Sequence, residues 1–367
     1  MQRRGTRGVA QRVVIVGAGH AGGECALRLR RLGCRGEIVL LGEESAPPYQ
    51  RPPLSKKYLC DEWDLDRLLL RPRHAYVDEQ IELVTSVQVA SVDRQRRQVG
   101  ARSGLSWRYD WLVLATGAKA RLADLPGSSL RGVSVFRTID DVDALKASLK
   151  VGARLVIVGA GYIGLELAAV ARTLGLNVLV CETQDRPLSR TSGPAVAKRL
   201  LDLHQQRGVE FRFCEKVAGV VGDKRVEGVL FKDGSEVEAD LVVFGIGSVP
   251  ETDLARDCGL AVDDGVVTDV NCRTSDARIF AIGDCARRPL ARGGPLIRLE
   301  SVHNAIEGAR LAAGQIAGAD AEEGEAPGFG RISSTQNCRW WGWLANMIRW
   351  WSAAKATRSR YSISDRG

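Results

Sequence analysis

Arg12-Val13-Val14-Ile15-Val16-Gly17-Ala18-Gly19-His20-Ala21-Gly22 reads as a short apolar strand, a glycine turn and the start of a helix. Arg154-Leu155-Val156-Ile157-Val158-Gly159-Ala160-Gly161-Tyr162-Ile163-Gly164 writes the same pattern again, 142 residues later. Each copy leads into a helical stretch (24–32 and 165–174), then a Gly break at Gly33 or Gly175. Each then enters a second apolar strand, 38–41 and 178–180. A strand–helix–strand unit written twice predicts an α/β protein with parallel sheets covered by helices.

The glycine turns carry chemistry as well as shape. A Gly-x-Gly-x-x-Gly turn lets the backbone approach a pyrophosphate and aims the N–H groups of a helix N-terminus at its charge. One copy alone is a weak signal, because glycines also close structural turns. Here each copy follows a strand, opens a helix and has an acid roughly 20 residues on at the next strand's end, Glu43 and Glu182. An acid in that place hydrogen-bonds a ribose 2′-hydroxyl. A 2′-phosphate would be repelled by Glu182, and neither Glu182 nor the two positions after it is Arg or Lys, which favours NADH over NADPH. Two dinucleotide sites in one chain suggest FAD plus a nicotinamide nucleotide, set face to face so that a hydride passes between rings.

Other segments fill in the frame. Pro47 to Pro53 is a Pro-rich loop, 81–92 a strand-like run, and Trp111 to Gly117 a buried strand ending in a turn. A hairpin is expected at Asp233-Gly234. Apolar strands follow at 241–247 and 279–284, then a helix over 304–316 and an acidic, Gly-rich linker over 319–328.

Composition narrows the function classes. The 367 residues are 45% hydrophobic and 26% charged, enough for two or three packed domains and unlike a disordered chain or a coiled coil. No apolar run reaches the ~18 residues of a membrane span. The basic start, Met1 to Gln11, has no apolar core and is not expected to be a secretory signal. Nine scattered Cys without a Cys-x-x-Cys argue for reduced thiols in the cytoplasm. Four His with no second ligand at metal spacing, His20 and His303 included, predict no metal site. The net charge of +8 is concentrated: residues 329–367 carry +6 of it, so the rest has an ordinary balance and nucleic acid is not expected as a partner. Arg outnumbers Lys 42 to 10, as in GC-rich bacterial coding.

These features bring a family into view. Arg51-Pro52-Pro53-Leu54-Ser55-Lys56, preceded by Pro48-Tyr49, is the most specific element. It is supported by Ala115-Thr116-Gly117, Phe136-Arg137-Thr138, Gly245-Ile246-Gly247, Thr274-Ser275-Asp276, Gly283-Asp284-Cys285-Ala286 and Glu300-Ser301-Val302-His303-Asn304-Ala305. Over about residues 12–327 the chain resembles the FAD-dependent, NADH-oxidising ferredoxin reductases of bacterial dioxygenase and cytochrome P450 systems, the putidaredoxin and rubredoxin reductase type.

The resemblance implies two Rossmann-type, three-layer domains, one inserted in the other. An FAD-binding domain would take 9–118 and 246–325, and an NADH-binding domain 119–245. It implies FAD on Gly17, Gly19, Ala21 and Gly22, with Glu43 on the adenosine ribose and Val89 meeting adenine through its backbone. Thr116, Gly117, Arg137, Asp284 and Val302 would complete that site, Asp284 on a ribityl hydroxyl and Val302 at the ring edge. NADH would lie on Gly159, Gly161, Ile163 and Gly164, with Glu182 on its ribose and Glu166 facing the nicotinamide. Lys56 would approach the isoalloxazine, paired with Glu166. Although a lone lysine is ordinarily a solvated surface group, two prolines stiffen the loop before this one. The implied activity is hydride transfer from NADH to FAD, then single electrons to a small ferredoxin- or rubredoxin-type carrier. Disulfide reductases of the same plan carry a Cys pair before this lysine; residues 45–55 hold no Cys. Other acceptors, such as nitrite-reductase centres or oxygen, and a non-catalytic or uncoupled flavin-binding remnant remain open.

The resemblance stops near residue 328. The family continues into a third domain of ~75–80 residues bearing Trp-Ser-Asp-Gln. Here residues 326–367 are a linker and a tail holding five of the eight Trp. Codons for Phe329 to Ser333 permit Trp-Ser-Asp-Gln in a shifted frame, so a frameshift and a truncated C-terminal segment are expected. A cationic, Trp-rich membrane-surface helix is the alternative reading of the tail.

Overall fold

The computed structural model describes residues 11–319. The expected linker, the frameshift and the Trp-rich tail lie outside them, apart from Ala319. The elements that position the site, in chain order, begin with β1 (Val13–Val16), α1 (His20–Arg31), β2 (Ile38–Leu41), β3 (Ile81–Val84), β4 (Val89–Asp93), β5 (Gln98–Ala101), β6 (Ser106–Arg108) and β7 (Trp111–Leu114). There follow β8 (Val133–Val135), α2 (Ile139–Lys146), β9 (Arg154–Val158), α3 (Tyr162–Thr173), β10 (Asn177–Cys181), α4 (Pro194–Gln205) and β11 (Val209–Arg212). The last are β12 (Val217–Val221), β13 (Gly228–Phe231), β14 (Glu236–Glu238), β15 (Leu241–Phe244), β16 (Ile279–Ala281) and α5 (Val302–Ala317). They fall into two compact units. One takes the chain to Gln50, Leu68–Lys119 and the chain from Pro250; the other takes Arg51–Arg67 and Ala120–Val249.

The first unit is built on a five-stranded parallel sheet, β16-β7-β1-β2-β3. All four residues of β1 and all four of β2 are buried, which is why they read as unbroken apolar runs. Side chains alternate between two cores. Val13, Ile15, Ile38, Leu40, Val113 and Phe280 pack beneath α1 and α5 with Cys25, Leu29 and Ala309. Val14, Val16, Val39, Leu112, Leu114 and Ile279 face Val92 and Val99 of the antiparallel sheet β4-β5-β6. The result is a helix layer, a parallel sheet and a second sheet. The strand-like run 81–92 is two strands rather than one, because Ser86 turns the chain with φ +58.

The second unit repeats the plan. Its parallel sheet runs β11-β10-β9-β15-β8. Val156, Cys181, Val242 and Phe244 pack against Val217, Val220, Val229 and Phe231 of the antiparallel sheet β12-β13-β14. The Asp233-Gly234 hairpin joins β13 to β14, with Gly234 at φ +87 and the Asp233 carboxylate accepting from Ser235 N–H at 2.8 Å. Both glycine-turn helices begin earlier than their apolar periodicity suggests, at His20 and Tyr162.

Candidate active site

In the first unit, β1 is flanked by β7 on one side and β2 on the other, so the chain's strand order reverses at the carboxyl end of β1, where α/β sheets open a crevice. The turn there divides its labour. Gly17 takes φ +112, and a Cβ on it would stand 2.1 Å from Ala115 O. A Cβ on Gly22 would stand 1.9 Å from Gly17 O, so α1 sits tight on its own strand. A Cβ on Gly19 meets nothing within 4 Å. The turn is thus close-packed inward and open outward, where a pyrophosphate fits against the N-terminus of α1.

The remaining candidates of this unit gather around that end. Thr116 follows β7, with its Oγ1 donating to Glu251 O at 2.6 Å, and Gly117 follows with φ +71. Ala21 Cβ lies 3.0 Å from where a Cβ of Gly283 would be, which brings half-buried Asp284 to the start of α1. Burial lowers the pKa of His20, opposed by the charges of Glu24 and Asp284. Glu43 is exposed just past β2. Val87 N–H donates to Gly42 O at 2.8 Å, carrying the chain into Val89 beside that strand end. Val302 opens α5, 37% exposed, behind the Ser301 N-cap, whose hydroxyl accepts from Asn304 N–H at 3.1 Å.

In the second unit the same turn recurs. Gly159 has φ +109 and would clash with Gly245 O at 2.5 Å; Gly164 would stand 2.1 Å from Gly159 O. A Cβ on Gly161 has its nearest neighbour 3.9 Å away, and Ile163 is 40% exposed beside it. Glu182 bridges strand end and turn. Its Oε2 accepts from Ala160 N–H at 2.9 Å and its Oε1 from Gln184 N–H at 3.0 Å.

The Arg51 to Lys56 motif also belongs to the second unit. After its prolines the chain makes a short π-type helix, Leu54–Tyr58, in which Tyr58 N–H reaches Pro53 O at 3.1 Å. Lys56 Nζ lies 2.6 Å from Glu166 Oε2 and 3.2 Å from Pro52 O. Glu166 sits in the first half of α3, 8% exposed. Ser55 Oγ donates to the same Oε2 at 2.5 Å, a contact sequence reasoning missed. No spacing rule points to it, because the wide helical turn that aligns Ser55 with Lys56 leaves no periodicity.

Two further ties hold this segment. Tyr58 OH donates to Asp143 Oδ1 at 2.9 Å, and burial, with that bond, pushes its pKa up to about 12. Arg51 Nη1 donates to Arg137 O at 2.7 Å, and Asp141 Oδ2 accepts from Arg137 N–H at 2.9 Å at the entrance to α2. The structure therefore brings Lys56 to Glu166 and Glu182 to its glycine turn. It places Lys56 and Arg137 in one unit and Gly17 to Gly22, Thr116, Asp284 and Val302 in the other.

Among the described residues all eight cysteines are free, and burial pushes the Cys60 thiol up to about 12, away from a nucleophilic thiolate. Among them, too, no helix is long and apolar enough to cross a membrane.

Comparison with known proteins agrees with this geometry. Residues 11–309 match the pyridine nucleotide-disulphide oxidoreductase family model. The chain is 42% identical to rhodocoxin reductase of Rhodococcus erythropolis, covering 86% of this chain and 74% of that protein. It is 40% identical to rubredoxin-NAD(+) reductase of Pseudomonas putida, over 86% of this chain and 83% of that protein. Among solved structures it resembles the covalent putidaredoxin reductase–putidaredoxin complex, with TM-score 0.84, 37% identity and coverage of 86% and 78%. By the match over residues 11–309 and by relatives at 40–42% identity, the chain belongs to the pyridine nucleotide-disulphide oxidoreductase family.

Proposed function

We propose that this chain is a cytoplasmic flavoprotein that oxidises NADH and reduces a small iron–sulfur carrier of the ferredoxin or rubredoxin type. The observation that carries the reading is the duplicated glycine turn, closed inward and open outward at both Gly19 and Gly161. FAD, when bound, supplies the chemistry the side chains lack: it accepts two electrons as a hydride and gives them up singly.

The unit containing β1 would hold FAD, through the turn Gly17, Gly19, Ala21, Gly22, with Glu43, Val89, Thr116, Gly117, Asp284 and Val302 around it. The unit containing β9 would hold NADH on Gly159, Gly161, Ile163 and Gly164. Glu182 spans the turn and the strand end, which supports a role for its carboxylate in reading a ribose diol and repelling a 2′-phosphate. Lys56 has three N–H donors, of which two are engaged, on Glu166 and on Pro52 O. By the family resemblance, the third would approach the flavin. A held ammonium there favours the negative charge that reduction brings, and Arg137 adds a second cation. The names of the relatives support the acceptor: rhodocoxin and rubredoxin are what those reductases serve. Steady-state reduction of a ferredoxin by NADH in the presence of this protein tests the reading; turnover with dye acceptors but none with any iron–sulfur carrier would refute the acceptor class.

A further inference from the structure

We infer that Ser55 is a positioning residue for electron transfer, fixing the carboxylate of Glu166 so that Lys56 holds one defined place. The inference rests on the proposed flavoprotein reading and adds to it a residue with no assigned role.

Two contacts on one atom, and the burial around them, carry it. Glu166 Oε2 accepts the Ser55 hydroxyl at 2.5 Å and faces the Lys56 ammonium at 2.6 Å. Both Ser55 and Glu166 are buried, 4% and 8% exposed, while the Lys56 side chain is 31% exposed. An exposed lysine on a flexible four-carbon stem has many rotamers, and a single ion pair does not select among them. A carboxylate can also rotate and present either oxygen. The buried hydroxyl removes that freedom, because leaving Oε2 turns a short charge-assisted bond into an unpaired buried donor. Pro52 O adds a second acceptor on the ammonium from the stiff, proline-bounded start of the same segment.

The backbone explains why neighbours in sequence converge. In an α-helix, adjacent side chains diverge around the axis. The π-type turn over Leu54–Tyr58 is wider, and its far end is pinned by the Tyr58–Asp143 bond. Ser55 and Lys56 therefore reach the same oxygen on α3. Such turns cost helix regularity and recur at functional sites.

The test uses the FAD-loaded protein and the variants Ser55→Ala, Ser55→Thr and Lys56→Met. We expect Ser55→Ala to bind FAD and NADH normally, to slow hydride transfer from NADH about tenfold, and to shift the midpoint potential of bound flavin to more negative values. Ser55→Thr, which keeps the hydroxyl, should restore both. Loosened packing can also move a potential by admitting water, so recovery of both rate and potential in Ser55→Thr is what assigns the effect to the hydroxyl. If Ser55→Ala fails to retain FAD, Ser55→Cys keeps the volume with a weak donor and should show the same two changes. Unchanged rate and potential in Ser55→Ala beside a slowed Lys56→Met would overturn the role of Ser55 and leave the flavoprotein reading standing. A Ser55→Thr as impaired as Ser55→Ala would overturn it too. Failure of NADH to reduce flavin in the unmutated protein would overturn both.

Discussion

In the proposed reading, Glu182 would separate two nicotinamide nucleotides that differ by one phosphate. Its carboxylate is held between Ala160 N–H and Gln184 N–H, so it would meet a bound adenosine ribose as a fixed charge. One charge facing another across a partly screened gap is worth about 1.4 kcal/mol or more, a tenfold preference at least. NADH should reduce the flavin at least about tenfold faster than NADPH at equal concentration. Glu182→Gln should narrow that gap while keeping an acceptor for Ala160 N–H. Glu182→Ala should narrow it and also loosen the turn, seen as weaker binding of both nucleotides. Stopped-flow flavin reduction with each nucleotide checks this; equal rates in the unmutated protein would sink the assignment. Lys56 is a second such case. Lys56→Met removes the ammonium but leaves Glu166 its Ser55 hydroxyl. The bound flavin should become harder to reduce while NADH still binds, as spectroelectrochemistry and a binding titration would show.

The glycine turns make an opposed pair of expectations. Gly19→Ala adds a methyl where the protein leaves open space, on an extended backbone that alanine adopts. Stability without cofactor should stay within ~0.5 kcal/mol, while FAD retention falls sharply. Gly22→Ala drives a methyl to 1.9 Å from Gly17 O, so helix or strand must move, at ~1–3 kcal/mol or more. Denaturant melts of the cofactor-free proteins, beside their flavin content, separate the two; equal loss of stability would mean Gly19 serves folding alone. His204 on α4 gives a pH expectation. It is fully buried, Nδ1 2.8 Å from Leu200 O and Nε2 3.1 Å from Leu165 O. Burial lowers its pKa and outweighs the two carbonyls, which raise it. Above the ordinary histidine value both folded and unfolded chains are neutral there; below it the unfolded chain protonates first. Stability should therefore fall between about pH 7.5 and about pH 5.5 by up to ~1 kcal/mol per unit, and less in His204→Gln. An equal loss in both proteins would remove His204 as its source.

Much of the architecture was legible because buried parallel strands have no polar face: β1, β2, β9 and β15 are short apolar runs, and each glycine turn marks where one ends. The starts of α1 and α3 were not, since glycine and histidine or tyrosine carry no helix signal; the sheet beneath overrides propensity there. Nor was the break at Ser86, which turns the chain with a left-handed φ that serine rarely adopts. The candidate site was legible where it repeats, Gly17 against Gly159 and Glu43 against Glu182, because a glycine turn followed by an acid is a pattern of fixed residue types at fixed spacing. Ser55 was hidden because its role depends on an irregular helix that no periodicity announces.

The two frames also explain each other. Each centres its glycine-turn strand between the acid-bearing strand and a closing strand, and each adds one edge strand from opposite directions in sequence: β16 from the C-terminal side, β8 from the N-terminal side. Two grips of one design in one chain would serve two dinucleotides, and a chain with two would have use for electrons moving between them. The most direct test is an anaerobic titration of the FAD-loaded protein with NADH, followed by an oxidised ferredoxin-type carrier. The flavin colour should bleach at one NADH per flavin and return as the carrier is reduced, two carriers per flavin because each takes one electron. A flavin that stays oxidised under NADH, or one that bleaches but never passes its electrons to the carrier, would contradict the account.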